Sequence, residues 1–444
     1  MNSPRSFWRD HPHVAALALI MAATVPRYAF VASGQLDLVQ DEAQYWDWSR
    51  HLQLSYYSKG PLIAWIIKGG TALFGDTELG VRFGAVAGSL AAQLIVYAGL
   101  AFGMNRPRLA LIALFILNTM PLFLAGGILM TTDNPLLVCW LAALFCLHAA
   151  VSKPDSRWPW IGFGAAMALG VLAKYTMLAM LGVACVHLCI LLRQRLLPQG
   201  HARRLAMAAG AGLAVGLLPI LVWNAGHGWA SLRHVGRLAG LAPAAGESLP
   251  LVRFDLWAEY LGGQLGLVSP WWLGFMVYGG AVALRRCLRR APSGVSPDAL
   301  RERKETAEAA LFTAGFWPLF LFFCLWSLHT RIYANWPAMA YASGVVLAAF
   351  GAERVLEARR AGVSLARRLL PVWAFAGLFL CLLMYAQEPL SRLLPDTLNP
   401  AARLKGWADL GRRVDELRAG LPNPDAVFVF SDAYDVTAQL AFYV

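Results

Sequence analysis

Charge is scarce in this chain. Only 14% of its 444 residues are charged against 58% hydrophobic, a balance that excludes an ordinary soluble domain. A cysteine framework is also missing. The seven cysteines (139, 146, 185, 189, 287, 324 and 381) fall in apolar segments or at a cytoplasmic segment end. That excludes an exoplasmic disulfide scaffold and speaks against a cysteine-based metal site. Cys185 and Cys189 lie one helical turn apart and read as buried packing. The cytoplasmic side has no glycine-rich phosphate loop, so nothing calls for a nucleotide. Neither an internal repeat nor a matched pair of broken helices occurs, which weighs against a secondary transporter.

What is abundant is apolar length. About eleven stretches of roughly 17–25 residues, each able to cross the hydrocarbon core as a helix, recur near 13–33, 81–102, 108–128, 133–151, 160–175, 176–192, 205–223, 269–284, 310–328, 335–352 and 370–386. The first stretch reads as an anchor and not a cleaved leader, because Pro26 and Arg27 interrupt it and no convincing small-residue cleavage site follows. The net charge of +12 raises the question of a nucleic-acid partner, and its distribution answers it. With the N-terminus cytoplasmic, more than half of the basic residues fall in cytoplasmic loops, above all in the runs Arg285–Lys304 and Arg354–Arg368. This is a positive-inside pattern with no nucleic acid implied. It places the first loop, the 224–268 loop and the C-terminus outside.

The expected domain organisation is a transmembrane module over 1–386 and a tail over 387–444. Exoplasmic loop one, 34–80, is long and aromatic. Its stretch "SYYSKGPLIAWIIKGGTALFG" reads as an amphipathic helix in the interface, with Leu62, Ile63, Ile66 and Ile67 opposite Lys59 and Lys68. The second long loop, 224–268, turns helix-like from about Leu249. Segment 287–309 reads as a loosely ordered connector with a short helix after Ser296 and Pro297. In the tail, a helix over 406–419, a strand over 426–430 and a further helix start suggest a small α/β domain, whose pattern stops at Val444 and so reads as incomplete.

The external face carries the chemistry, because a charged side chain near membrane depth needs a reason. Asp41 and Glu42, in "DEAQYW", suit a general base and its orienting neighbour, or the cap of a short helix. Asp133, in "MTTDNPLLVCW", is either a third acidic group of the site or a helix opener before proline. Lys59 in "YYSKGPL", Arg331 in "HTRIYANWP" and Lys174 in "AKYTML" are the cations for a lipid-linked phosphate, with interfacial snorkelling the alternative, above all for Lys174. Tyr56, Tyr57, Tyr333, Asn335 and Trp336 are candidates for holding sugar or lipid, within an aromatic belt that any membrane protein carries. His227, His234 and His329 share this side. With the acidic pair they would suit a divalent metal, but their spacing matches no strong ligand motif, so no cofactor is assigned.

Taken together, "DEAQYW" after the first span, "YYSKGPL", "TTDNPLL" opening the fourth and "ANWPAMAY" opening the tenth resemble the bacterial branch of glycosyltransferase family 39. That branch is similar to protein O-mannosyltransferases and to the lipid A aminoarabinose transferase. The resemblance implies an all-α polytopic GT-C fold with interfacial helices in loop one and a site facing the periplasm of a bacterial inner membrane. It implies transfer of a sugar from a polyprenyl-phosphate donor to a lipid, glycan or protein hydroxyl. A saccharide of lipid or lipopolysaccharide is the favoured acceptor. By the same resemblance Asp41 matches the catalytic acid of loop one, Glu42 its partner, Lys59 the lysine at the donor phosphate, and Asp133 the acidic residue of the fourth span. Two positions depart from it. Lys59-Gly60-Pro61 stands where aminoarabinose transferases usually show Lys-Pro-Pro, and Gln44 stands where they show a basic residue. A flippase of lipid-linked sugars is the rival reading, and it requires polar groups at mid-depth in several spans.

Overall fold

The computed structural model describes residues 10–238, 252–357, 364–386 and 404–444, and it is helical throughout. The first helix, α1 (Pro12–Ala32), is followed by two short helices in loop one, α2 (Gln40–Arg50) and α3 (Leu62–Phe74). Next come α4 (Glu78–Ala98), whose last turn widens through Gly99–Gly103, then α5 (Pro107–Thr119), α6 (Pro121–Gly126), α7 (Asp133–Ser152) and α8 (Trp158–Ala173). A tight turn over Tyr175–Leu178 leads into α9 (Ala179–Arg193), α10 (His201–Gly226) and α11 (Ala230–Leu238). The chain continues with α12 (Phe254–Val268), α13 (Pro270–Leu288), α14 (Pro297–Trp326), α15 (Ala338–Glu357) and α16 (Ser364–Tyr385). It closes with α17 (Trp407–Ala419) and α18 (Tyr434–Tyr443).

All eleven apolar stretches are helical, but the expected count of eleven spans is not reached. Among the described residues eight helices are long and apolar enough to cross a membrane, or nine if the α12–α13 pair makes one broken span. The chain is therefore a multi-pass membrane protein. Two expected spans fall short because helix length is set by breakers and not by hydropathy. Pro121 ends the 108–128 stretch at Thr119, leaving 13 residues in α5, and α8 has 16. At 1.5 Å per residue these reach about 20 and 24 Å, against roughly 30 Å of hydrocarbon. The α12–α13 pair bends by 97°. The corner is Ser269, held at φ 73° ahead of Pro270, a left-handed conformation unfavourable for a residue with a Cβ.

The core centres on α15, whose small and β-branched sequence "AMAYASGVVLAAFGA" lets α13 and α14 approach it closely, while α8 packs between α7 and α10. Trp140, Trp272, Tyr341, Phe163, Phe312 and Phe316 fill the space between them.

Three further expectations change. Segment 287–309 is irregular over 289–296 as expected, but the helix after Ser296 and Pro297 is long instead of short. Ser296 caps α14 by accepting the Ala299 N–H, and the helix runs unbroken for 30 residues into the next span. Cys185 and Cys189 are exposed on α9 instead of packed inside. In the tail both helices are present, but the described residues contain no strand. Residues 427–430 form no regular element, with Val427 extended and Phe428 and Phe430 exposed, and backbone pairing needs a partner strand that the described residues do not supply. The tail helices instead pack on loop one. Tyr443 Oη accepts the Leu38 N–H at 2.8 Å and Gln439 donates to the Leu38 carbonyl at 2.7 Å. Helix α18 lies along α2, with Phe442 edge-on to Trp46.

Candidate active site

The two carboxylates of "DEAQYW" have separate fates. Helix α2 starts at Gln40, so Asp41 and Glu42 sit in its first turn. Glu42 is fully buried and fully engaged. Its Oε2 accepts the Val39 N–H at 2.9 Å, reaching back to cap the helix, and the Arg82 Nη2 at 2.7 Å. Its Oε1 accepts the Met130 N–H at 2.7 Å and the Arg82 Nε at 3.0 Å. Arg82, also buried, donates in addition to the carbonyls of Leu36 and Asp37. One ion pair thus fastens the start of α2, the connector before it, α4, and the turn before α7. The capping role belongs to Glu42, which leaves Asp41 free of it.

Among the described residues no hydrogen-bond donor meets the Asp41 carboxylate. The residue is exposed to solvent, while charged side chains stand close around its carboxyl. Loss of hydration raises its pKa, Lys59 and Lys174 pull it down, and Glu42 and Asp435 push it up. Four residues on, Tyr45 shares that helix face and is buried. Burial, with Asp41, Asp133 and Tyr434 nearby, raises its pKa well above the ordinary value, so it stays a hydroxyl donor. The i, i+4 spacing in "DEAQY" is the signal that would have singled it out.

Lys59 is placed by backbone geometry. Its carbonyl accepts the Tyr56 N–H at 3.1 Å, closing a turn. Next to it Gly60 lies directly on the last turn of α8. A Cβ there would sit 2.1 Å from the Leu172 carbonyl oxygen. The Lys59 ammonium has no hydrogen-bond or ion-pair partner among the described residues, and its neighbours are Lys174, Asp41 and Asp133. Burial lowers its pKa and Lys174 lowers it further, against the two carboxylates. Lys174, at the end of α8, pairs with Asp133 Oδ1 at 2.8 Å, and Asn335 donates to Oδ2 at 3.0 Å. Asp133 opens α7, but its carboxylate points across to other elements instead of capping the helix.

Asp41, Lys59, Asp133, Lys174 and Asn335 therefore converge, and Tyr434 and Asp435 of the tail border them. Arg331 does not join them: it is exposed and bound to Glu259 at 2.5 Å. Tyr56 is buried, stacked on Trp48 at 4.5 Å, its hydroxyl donating to the carbonyls of Trp48 and His51, so it supports the loop. Tyr57 stays exposed against His234, and Tyr333, also exposed, lies beside Trp336. His227 stacks on Trp223. Among the described residues no three His, Cys, Asp or Glu side chains gather as metal ligands, and Lys174 takes the Asp133 oxygen that a cation would need. These residues do not fit a resident metal. Arg82, Tyr45 and the tail residues are the additions that local sequence did not single out.

The crowding at Gly60 gives a prediction. Gly60→Ala is expected to push the Lys59 turn off α8 and reduce turnover at least tenfold, about 1.4 kcal/mol, with the unfolding temperature changed by only a few degrees. A kinetic assay beside a thermal scan checks it.

The sequence model of the family described as dolichyl-phosphate-mannose-protein mannosyltransferase matches residues 58–223. The lipid A galacturonosyltransferase of Rhizobium johnstonii is 27% identical over 340 residues, covering 75% of this chain and 64% of its own. The undecaprenyl phosphate-alpha-4-amino-4-deoxy-L-arabinose arabinosyl transferase of Edwardsiella ictaluri is 28% identical over 258 residues, 53% of this chain and 41% of its own. The chain thus spans less than two thirds of the length of these curated relatives. ArnT from Cupriavidus metallidurans, solved bound to undecaprenyl phosphate, superposes with a TM-score of 0.60 at 18% identity, over 96% of this chain and 75% of that one. With the fold of ArnT along nearly its whole length and the mannosyltransferase sequence pattern over 58–223, this chain has the GT-C fold and the resemblance to glycosyltransferase family 39 that its motifs implied.

Proposed function

We propose that this protein is an inverting glycosyltransferase that moves a sugar from a polyprenyl-phosphate donor to a hydroxyl of a lipid or lipopolysaccharide saccharide. It works at the periplasmic face of a bacterial inner membrane with its N-terminus cytoplasmic. The observation that carries this is the meeting of an unbonded carboxylate, Asp41, with an unpaired ammonium, Lys59, beside the Asp133–Lys174 pair. The names of the curated relatives support a lipid-linked donor and a lipid A acceptor. Several spans carry buried polar groups, Gln93 and Asn118 among them, which is the feature a flippase would need. Gln93 and Asn118 bond to one another and to Thr24 and Arg27 at the first helix, and the names of the relatives favour transfer.

Asp41 takes the proton of the acceptor hydroxyl as that oxygen bonds to the anomeric carbon. The bond from that carbon to the phosphate oxygen breaks on the opposite face, its electron pair leaving with the polyprenyl phosphate. Phosphate is a good leaving group, so a cation serves where a general acid would otherwise be needed. Lys59, backed by Lys174, neutralises the charge that develops. Asp133 keeps Lys174 and Asn335 in place, Glu42 positions Asp41, and Tyr57, Tyr333 and Trp336 offer faces for sugar and lipid. Incubating purified protein with labelled polyprenyl-phosphate sugars and a bacterial lipid extract tests this. Label in an acceptor lipid with inverted anomeric configuration supports it. Label that stays on every donor, or transfer with retention, overturns it.

The shifted groups set the pH dependence. Activity needs ionised Asp41 and protonated Lys59. A raised Asp41 moves the acid limb above the ordinary carboxylate value near 4, and a lowered Lys59 moves the alkaline limb below the ordinary lysine value near 10.4. The kcat/KM profile is expected to be a bell narrowed from both sides. Lys59→Arg is expected to remove the alkaline limb, and Lys59→Met to lower kcat about 100-fold. A limb unmoved by Lys59→Arg would take Lys59 out of the mechanism.

A further inference from the structure

Helices α8 and α10 touch backbone to backbone. A Cβ on Gly212 would lie 2.4 Å from the Gly164 carbonyl oxygen, and one on Gly216 would lie 2.6 Å from the Ala168 carbonyl oxygen. Such contact leaves no large side chains to fill the outer side of the seam, and a groove of about 670 Å³ opens there. Its walls are Ile161, Met207 and Val215, all exposed. From Arg204 to Val215 on α10 it covers a rise of about 16 Å at 1.5 Å per residue. That is half of the roughly 30 Å hydrocarbon core, the depth of one acyl chain in one leaflet.

The head of the groove carries charges of both signs. Asp155, Ser156 and Arg157 stand on the turn before α8, and Arg204 reaches over from α10, donating to the Pro154 carbonyl. Arg157 lies over the Trp158 ring at 5.5 Å, and none of the three charged groups has an ion-pair partner among the described residues. Trp160 closes this end. It is 8% exposed, and its indole N–H has no acceptor among the described residues. Two cations, an anion and a spare donor at the mouth of an apolar channel are the complement of a phospholipid head group.

We propose that this groove binds a phospholipid whose head group carries a primary amine, from the leaflet on the side of the 153–157 turn. The phosphate lies between Arg157 and Arg204, the ammonium at Asp155, and one acyl chain runs over Gly164 and Gly212. A purely anionic head group would satisfy the arginines but set its charge against Asp155, so the mixed signs select a zwitterion. The bound lipid braces a helix that matters for the site. With 16 residues α8 is too short to span alone, and it ends at Lys174, one turn after the Gly60 contact at Leu172.

Binding here does not depend on the chemistry at Asp41, so the test reads affinity and stability and not turnover. The full chain, delipidated in detergent, is titrated with phosphatidylethanolamine, phosphatidylglycerol and phosphatidylcholine of the same acyl chains. Bound lipid is counted by native mass spectrometry beside a thermal scan. The ethanolamine lipid is expected to bind about fivefold tighter than the glycerol lipid, the scale of an ion pair near the surface, and to raise the unfolding temperature by about 2 °C. Asp155→Asn is expected to level those two lipids, and Arg157→Gln to weaken both. Ala211→Phe, which fills the groove without touching a charge, is expected to remove the preference and the temperature rise together. The variants lie on separate elements, so misfolding of one leaves the others to decide. A preference for the glycerol lipid that is lost in Arg157→Gln and indifferent to Asp155→Asn would make this an anionic-lipid site and overturn the assignment. Equal stabilisation by all three lipids, unmoved by every variant, would leave only annular lipid and overturn the site itself.

Discussion

Asp41→Asn is expected to lower sugar transfer by about 10²–10⁴-fold while leaving the protein folded and as stable as before, or slightly more so. The size follows from losing the proton acceptor at the reacting hydroxyl, a contribution of about 10²–10⁴. The stability follows from the surroundings. A carboxyl whose pKa is raised by folding favours the native state most when neutral. That contribution is fully present below its unfolded pKa near 3.9 and is lost as pH rises through the raised value. At neutral pH ionised Asp41 is therefore a cost, and the uncharged amide removes it. Thermal unfolding beside initial rates checks both halves. A variant that keeps a tenth of the activity would remove Asp41 from the role of base, and one that loses activity together with its unfolding transition would make it structural.

Glu42→Ala is expected to fail in the other way. It strands Arg82, 2% exposed, without a counter-ion and frees the N–H groups of Val39 and Met130. Breaking one side of a buried pair costs about 3–5 kcal/mol. Because the same clamp joins the start of α2 to the turn three residues before Asp133, activity should fall along with stability. The double variant Glu42→Leu, Arg82→Met separates support from chemistry, since an apolar pair of similar volume can replace a buried ion pair with little loss. It is expected to recover most of the unfolding temperature and a measurable part of the turnover. A double variant that is stable yet inactive would show that Glu42 itself takes part in the reaction.

These two residues also show how far the sequence can be read. "DEAQYW" marks a helix start with two acids, and either could cap it. Only the buried Arg82, forty positions away, decides that Glu42 is held and Asp41 is free. Asp133 was open to the same ambiguity, settled by Lys174 and Asn335 from distant elements. Lys59 and Lys174 were legible as cations on the external face because charge there is expensive. Arg331 carried the same signal, yet it pairs with Glu259 at the surface, a contact no local pattern encodes. For the fold, apolar runs located every helix of membrane length, because transfer free energy is a property of composition, but not the polar helix α11. They could not give the bend at Ser269 or the short reach of α5, which depend on backbone conformation and breakers. "VFVF" in the tail alternates like a strand, but alternation reports only local preference, and pairing needs a neighbour.

On the proposed reaction a glycosidic phosphate bond is broken at the face where Asp41 and Lys59 meet. The most direct measurement reconstitutes the protein in proteoliposomes with donor labelled in both the sugar and the phosphate. The two labels are expected to part, with sugar on the acceptor and phosphate on free polyprenyl phosphate, only when Asp41 is intact. Labels that cross the bilayer together, still joined and indifferent to Asp41→Asn, would contradict it and make the protein a carrier of lipid-linked sugars.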